Sequence, residues 1–137
     1  MSEQNRQIVQ SAYAAFGRGD IPGVLATLDP NIEWEAVTGA DPAVVPTAGV
    51  RRGVDAVGGF FKTLGDTMVF EQFEPREFIA EGEQVACIGY YKARVKKTGG
   101  MMATSWIMVF TLRNGRIVRF REWSDSAQIN RAFGAAV

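Results

Sequence analysis

The chain contains no histidine. That absence removes the Ser-His-Asp and Cys-His nucleophile designs. It also removes histidine zinc sites and the side chain best suited to moving protons near neutral pH. A metal would then need clustered carboxylates, and no such spacing occurs, so no metal and no cofactor are expected. The single cysteine, Cys87, excludes an internal disulfide framework, and nothing beside it in sequence would lower its pKa. Net charge is absent too, since 15 Lys and Arg balance 15 Asp and Glu. A general electrostatic grip on nucleic acid or an anionic membrane is therefore not expected. No apolar run is long enough to span a bilayer, and the opening MSEQNRQIVQ lacks an apolar signal region, so a cytoplasmic location is the default.

What is present suits one domain with a real core: 137 residues, 47% of them hydrophobic. Ile8, Val9, Ala12, Tyr13 and Phe16 recur at helical spacing, and Gly17 and Gly19 end that helix. Asp20 can cap a second, short helix with Pro22 in its first turn. Asp29-Pro30-Asn31 reads as a turn, and Ile32 to Ala36 alternates as a strand. Residues 38 to 53 read as a long loop of the kind that forms lids or pocket rims. Val54, Val57, Phe61 and Leu64 mark a third helix, although Gly58 and Gly59 inside it cost about 1 kcal/mol each relative to Ala.

From Met68 onward strands follow one another. Pro75 within Val69 to Ala80 implies an edge or a bulge. Val85 to Lys97, Met101 to Leu112 and Arg116 to Asp125 are the next three, the last two joined by Asn114-Gly115, a strong hairpin signal. A short helix capped by Asp125 or Ser126 closes the chain. Helices first and antiparallel strands afterwards give an α+β domain with its helices on one face.

Several pieces of this order carry a family resemblance: Ala14-Ala15-Phe16-Gly17-Arg18-Gly19-Asp20, Leu28-Asp29-Pro30-Asn31-Ile32-Glu33-Trp34, Arg51-Arg52-Gly53, Arg113-Asn114-Gly115-Arg116-Ile117 and Glu122-Trp123-Ser124-Asp125. Over nearly its whole length the chain resembles the SnoaL-like branch of the nuclear-transport-factor-like, ketosteroid-isomerase-like superfamily. The resemblance implies a cone-shaped α+β barrel, with helices packed on a strongly curved, mainly antiparallel sheet around a pocket. Members include isomerases, polyketide cyclases, epoxide hydrolases and domains without known chemistry, so fold alone assigns no reaction.

Asp125 is the first candidate base. It ends the last strand beside Trp123, and desolvation by aromatic neighbours would raise its pKa into the working range. The resemblance to polyketide cyclases implies the acid–base role for an Asp in this motif. The competing reading is a helix cap. Glu35 is the second, near the position from which ketosteroid isomerases place their base. Its competing reading is a solvated strand residue, because Trp34 holds the other parity. The stretch that would carry the isomerases' neutral acid is Ser105-Trp106-Ile107, without a carboxylate, and Tyr13 sits one residue out of register with their helical phenol. The Arg-x-Asp triplet of the epoxide hydrolases occurs only as Arg18-Gly19-Asp20 between helices, which does not fit that chemistry.

Trp34, Tyr13, Tyr91, Trp106 and Trp123 are the expected pocket lining, preferred over Met108 and Phe110 because their polar tips need partners. Lys92, Arg94 and Lys96 share one strand face, read as solvated and resisting edge pairing. The expected ligand is a small apolar or aromatic molecule. Three functions remain open: proton abstraction next to a carbonyl, binding without turnover, and a dimeric interaction module. Apolar residues on both parities, Ile107 and Val109 against Trp106 and Met108, predict a homodimer through the sheet.

Overall fold

The computed structural model describes residues 2–134. Helix α1 (Ser2–Gly17) buries Val9, Ala12 and Ala15, one helical stripe of its sequence. Gly19 turns the chain at φ 73°, and Asp20 caps α2 (Ile21–Leu25) by accepting the Gly23 N–H at 2.9 Å.

Strand β1 (Leu28–Ala36) absorbs the Asp29-Pro30-Asn31 segment that was expected to precede it as a turn. The turn chemistry is still there. The Asn31 N–H donates to Asp29 Oδ2 at 2.8 Å, and the strand register shifts between Leu28 and Glu33. Local side-chain bonding has become a kink inside the strand rather than its boundary. The expected loop likewise holds a short strand, β2 (Gly49–Arg52), which pairs antiparallel with β1. Four residues are too few to show an alternation, so only the partner strand reveals it. Helix α3 (Val54–Thr67) buries Val57 and Phe60. A Cβ on Gly58 would meet Leu25 of α2 at an ordinary 3.6 Å, while Gly59 faces open space.

Strands β3 (Met68–Glu81), β4 (Gln84–Val95), β5 (Met101–Arg113) and β6 (Arg116–Trp123) follow, and α4 (Ser126–Ala132) closes the described chain. The sheet order is β2-β1-β6-β5-β4-β3. Among the described residues only β1 and β6 run parallel, so the sheet is mixed and mainly antiparallel, as expected. β3 is an edge strand whose register shifts between Pro75 and Glu77, where proline cannot donate to the ladder. Such irregularities bend long strands and curve the sheet. Lys92, Arg94 and Lys96 are exposed, but β4 is an interior strand, so the edge-guarding role expected of them does not apply.

One sheet face carries the core. Cys87, Gly89, Tyr91 and Ala93 of β4 lie beside Met102, Trp106, Met108 and Phe110 of β5, all buried. Helices α1 and α3 pack on the sheet and roof this face. No helix among the described residues is long and apolar enough to cross a membrane.

Candidate functional site

Between the helices and the sheet lies a cavity of about 80 Å³. Helices α1 and α3 supply Phe16, Phe60 and Phe61, and the sheet supplies Phe70, Phe73 and Phe120. Against this apolar wall stand few polar groups: the phenols of Tyr13 and Tyr91, the hydroxyls of Thr27 and Thr47, the Trp34 indole and the carboxyl of Glu122.

Glu122 is the residue that sequence reasoning missed. β6 buries Ile117, Phe120 and Glu122 and turns Arg119 and Trp123 outward. Glu122 is 6% exposed and lies opposite Met108 of β5. Its Oε1 accepts the Val37 N–H at 3.1 Å, and its backbone carbonyl accepts the Thr38 N–H at 3.0 Å. Val37 reaches this position at φ 49°, a left-handed conformation that is strained for a β-branched residue. The strain is held where it aims a backbone donor at the buried carboxyl. Burial lifts the Glu122 pKa to about 7, with the Val37 N–H pulling the other way. A carboxyl poised there can both take and return a proton.

The phenols serve differently. Burial raises Tyr13 well above its ordinary value, with nearby Cys87 adding to the effect, and its hydroxyl donates to Met108 Sδ at 3.0 Å. Burial also raises Tyr91, reinforced by the charge of Glu122. Both stay protonated and can only donate or accept hydrogen bonds. Burial pushes the Cys87 thiol up to about 11, which keeps it unreactive.

Of the expected lining, Trp34, Tyr13 and Tyr91 face the cavity, and so do Met108 and Phe110, which were ranked below the tryptophans. Trp106 does not reach it. Its ring stacks on Phe73 at 5.2 Å and on Tyr13 at 5.9 Å, forming the layer behind the wall. Trp123 is on the opposite face, 37% exposed, with the Arg121 guanidinium 5.3 Å from its ring centre.

The two expected carboxylates are also elsewhere. Asp125 is exposed and caps α4, its Oδ1 accepting the Gln128 N–H at 3.1 Å. That bond holds its pKa below the ordinary aspartate value, the reverse of a desolvated base. The expectation failed because β6 ends at Trp123, so strand alternation does not extend to residue 125. Glu35 is half-buried and outside the cavity lining, because Trp34 takes the inward parity of β1. One signal for Glu122 was available in the sequence. Phe120 and Glu122 alternate with Arg119, Arg121 and Trp123, and two arginines mark a solvated face. Among the described residues no group of three or more His, Cys, Asp or Glu side chains could hold a metal ion.

Comparison with known proteins gives this geometry a family. Residues 9–120 match the family described as SnoaL-like domain. A Mycobacterium tuberculosis relative, named only as uncharacterized protein Rv0034, is 27% identical over 131 residues, covering 93% of this chain and 94% of its own. An NTF2-like protein from Burkholderia xenovorans LB400 superposes with a TM-score of 0.87 at 32% identity, covering 98% of both chains. TerC, co-crystallized with polyporic acid, shares the fold at a TM-score of 0.81 and 22% identity, over 96% of this chain and 99% of that one. The chain belongs to the SnoaL-like family, built on the NTF2-like fold.

Proposed function

We propose that this domain binds a small, largely apolar molecule in the cavity and that Glu122 acts on it as an acid–base group. The observation that carries this reading is the buried carboxyl of Glu122 in the wall of a largely apolar cavity, where desolvation lifts its pKa to about 7. A carboxylate of that basicity can take a proton from a carbon next to a carbonyl. It then returns the proton to the product's carbon or oxygen, as an isomerisation or ring closure requires. TerC's co-crystallization with polyporic acid supports the reading only through the shared fold.

The test is binding of an uncharged fluorescent probe, N-phenyl-1-naphthylamine, to the purified protein. Ala12 lines the cavity, and Ala12→Leu fills part of it. The probe is expected to bind the wild type and to lose at least about tenfold in affinity in the variant, since two or three buried methylene equivalents are worth more than 1.4 kcal/mol. A variant that unfolds at the wild-type midpoint yet binds the probe equally well would refute the cavity as the binding site.

The same reading includes a homodimer through the outer sheet face. Ile88, Ile107 and Trp123 align in register across β4, β5 and β6, forming an apolar rung opposite the helices. Ile107 is 44% exposed in the single chain. Light scattering is expected to give twice the 15.0 kDa chain mass at micromolar concentration. Ile107→Lys is expected to give the chain mass itself, because an ammonium at that rung would be buried unpaired.

A further inference from the structure

The connection from β1 to β2 has a fixed end and a lightly held end. Residues 45–48 are the fixed end. Val45, Thr47 and Ala48 are buried, and the Arg51 guanidinium donates to the Thr47 and Pro46 carbonyls at 2.9 Å each. Residues 37–44 are held lightly. Val37 is buried, and the other seven are half-buried or exposed. Among the described residues, this end reaches the rest of the fold through three backbone N–H groups. Val37 donates to Glu122 Oε1 at 3.1 Å, Thr38 to the Glu122 carbonyl at 3.0 Å, and Asp41 to Asn130 Oδ1 of α4 at 3.1 Å. Its other backbone bonds are turns within the connection. Two costs oppose holding it down. Val37 sits at φ 49°, strained for a β-branched residue, and the Thr38 hydroxyl is buried without a partner.

From these contacts we infer that residues 37–44 are a strap that closes the cavity over Glu122 and lifts, hinging at Val45, as the Glu122 carboxyl ionises. Val37 lines the cavity, so lifting opens the wall beside the carboxyl and admits water. A neutral Glu122 still accepts the Val37 N–H and is cheap to bury. An ionised one has that single N–H against an apolar wall, and hydration favours the lifted strap. The direction follows from linkage. Closure raises the carboxyl from 4.5 to about 7, so the closed state binds the proton more tightly. Low pH therefore favours closure, and the lifted minority grows as pH rises. The groups around Glu122 do not compete with it. Tyr13 of α1 and Tyr91 of β4 stay protonated, β5 presents Met108, and α3 presents Phe60 and Phe61. Asp125, at the start of α4, is exposed and held below the ordinary aspartate range. The strap would regulate access to the proposed binding cavity and rests on that reading for its purpose. Its motion is measured without a ligand, so the two readings fail separately.

The test is amide hydrogen exchange of the ¹⁵N-labelled protein at pH 5 and pH 8, corrected for the intrinsic pH dependence of exchange. Protection of the Val37, Thr38 and Asp41 amides is expected to fall about 50-fold or more between the two, as the shift of Glu122 requires. It should stay below that of the β4–β5 ladder amides at both pH values, because the strap opens without the sheet. In Glu122→Gln the fall should shrink to within about threefold. Asn130→Ala removes only the Asp41 acceptor. It is expected to lower strap protection about fivefold at both pH values, as one hydrogen bond warrants, and to keep the wild-type pH ratio. This second variant tests the strap even where Glu122→Gln does not fold. Three results would overturn the strap: protection that does not change with pH, an equal fall in Glu122→Gln, or strap amides as protected as the β4–β5 ladder at pH 8. Unchanged strap protection in Asn130→Ala would overturn it as well.

Discussion

The wild-type domain is expected to lose about 3 kcal/mol of folding stability between pH 5 and pH 9 through Glu122, and Glu122→Gln is expected to abolish that loss. The cause is burial, which raises the carboxyl from its ordinary 4.5 to about 7. A folded pKa above the unfolded one means the native state binds the proton more tightly. The stabilisation is complete below about pH 4.5 and disappears as pH rises through about 7. Glutamine resembles the neutral acid at every pH, and its carbonyl can still accept the Val37 N–H that Oε1 accepts now. Urea denaturation of both proteins at pH 5, 7 and 9 measures the effect. With no histidine in the chain, no imidazole titration overlaps the signal. Equal pH slopes in the two proteins would show that Glu122 is not the buried titrating group. Any turnover should also fall by about 100-fold or more in Glu122→Gln, the usual contribution of a positioned acid–base group. Asp125→Asn should spare it, since Asp125 is an exposed cap.

Gly89→Ala is expected to destabilise the domain by about 3 kcal/mol or more, enough to leave a marginal protein largely unfolded. Gly89 sits on β4 opposite Trp106 of β5 and beside Pro75 of β3. A Cβ there would collide with Trp106 Cζ2 and the Glu74 carbonyl oxygen, and would lie 2.6 Å from Trp106 Cη2. Glu74 offers backbone, which cannot swing away, and Trp106 is held between its stacking partners Phe73 and Tyr13. Tyr13 and Phe73 themselves line the cavity, so a displaced indole would disturb the site as well as the sheet. The same chemical change at Gly59 has the opposite expectation. That glycine lies inside α3 with nothing within 4 Å of a new Cβ, so Gly59→Ala should stabilise by about 0.5–1 kcal/mol. Thermal or urea unfolding of the pair measures both signs. Tolerance of Ala at position 89 would contradict the Trp106 packing described above.

The helices were legible because their instructions are local. The α1 stripe, the Asp20 cap with Pro22, and the Asp125 cap of α4 each depend on residues within a few positions of one another. The same holds for the Asn114-Gly115 hairpin and for the alternation of β5, whose even-numbered residues from Met102 to Leu112 are all buried. The sequence by itself therefore determined the α+β class, the order of the main elements and the family resemblance, while of its five aromatic lining candidates only Tyr13, Trp34 and Tyr91 border the cavity.

The tertiary structure alone decided which group is chemically poised. Glu122 and Asp125 are three residues apart in one motif, yet one is buried and raised while the other is exposed and lowered. Asp125 is lowered by local bonds to its own helix, whereas Glu122 is raised by a burial that only the packed fold supplies. The surroundings of Glu122 come from Val37, 85 positions earlier, and from the helices that choose which face of β6 to cover. The polar tips of Trp34 and Thr47 depend on packing in the same way. Whether a polar tip has a partner is a property of the packed chain, and only packing shows that these two have none.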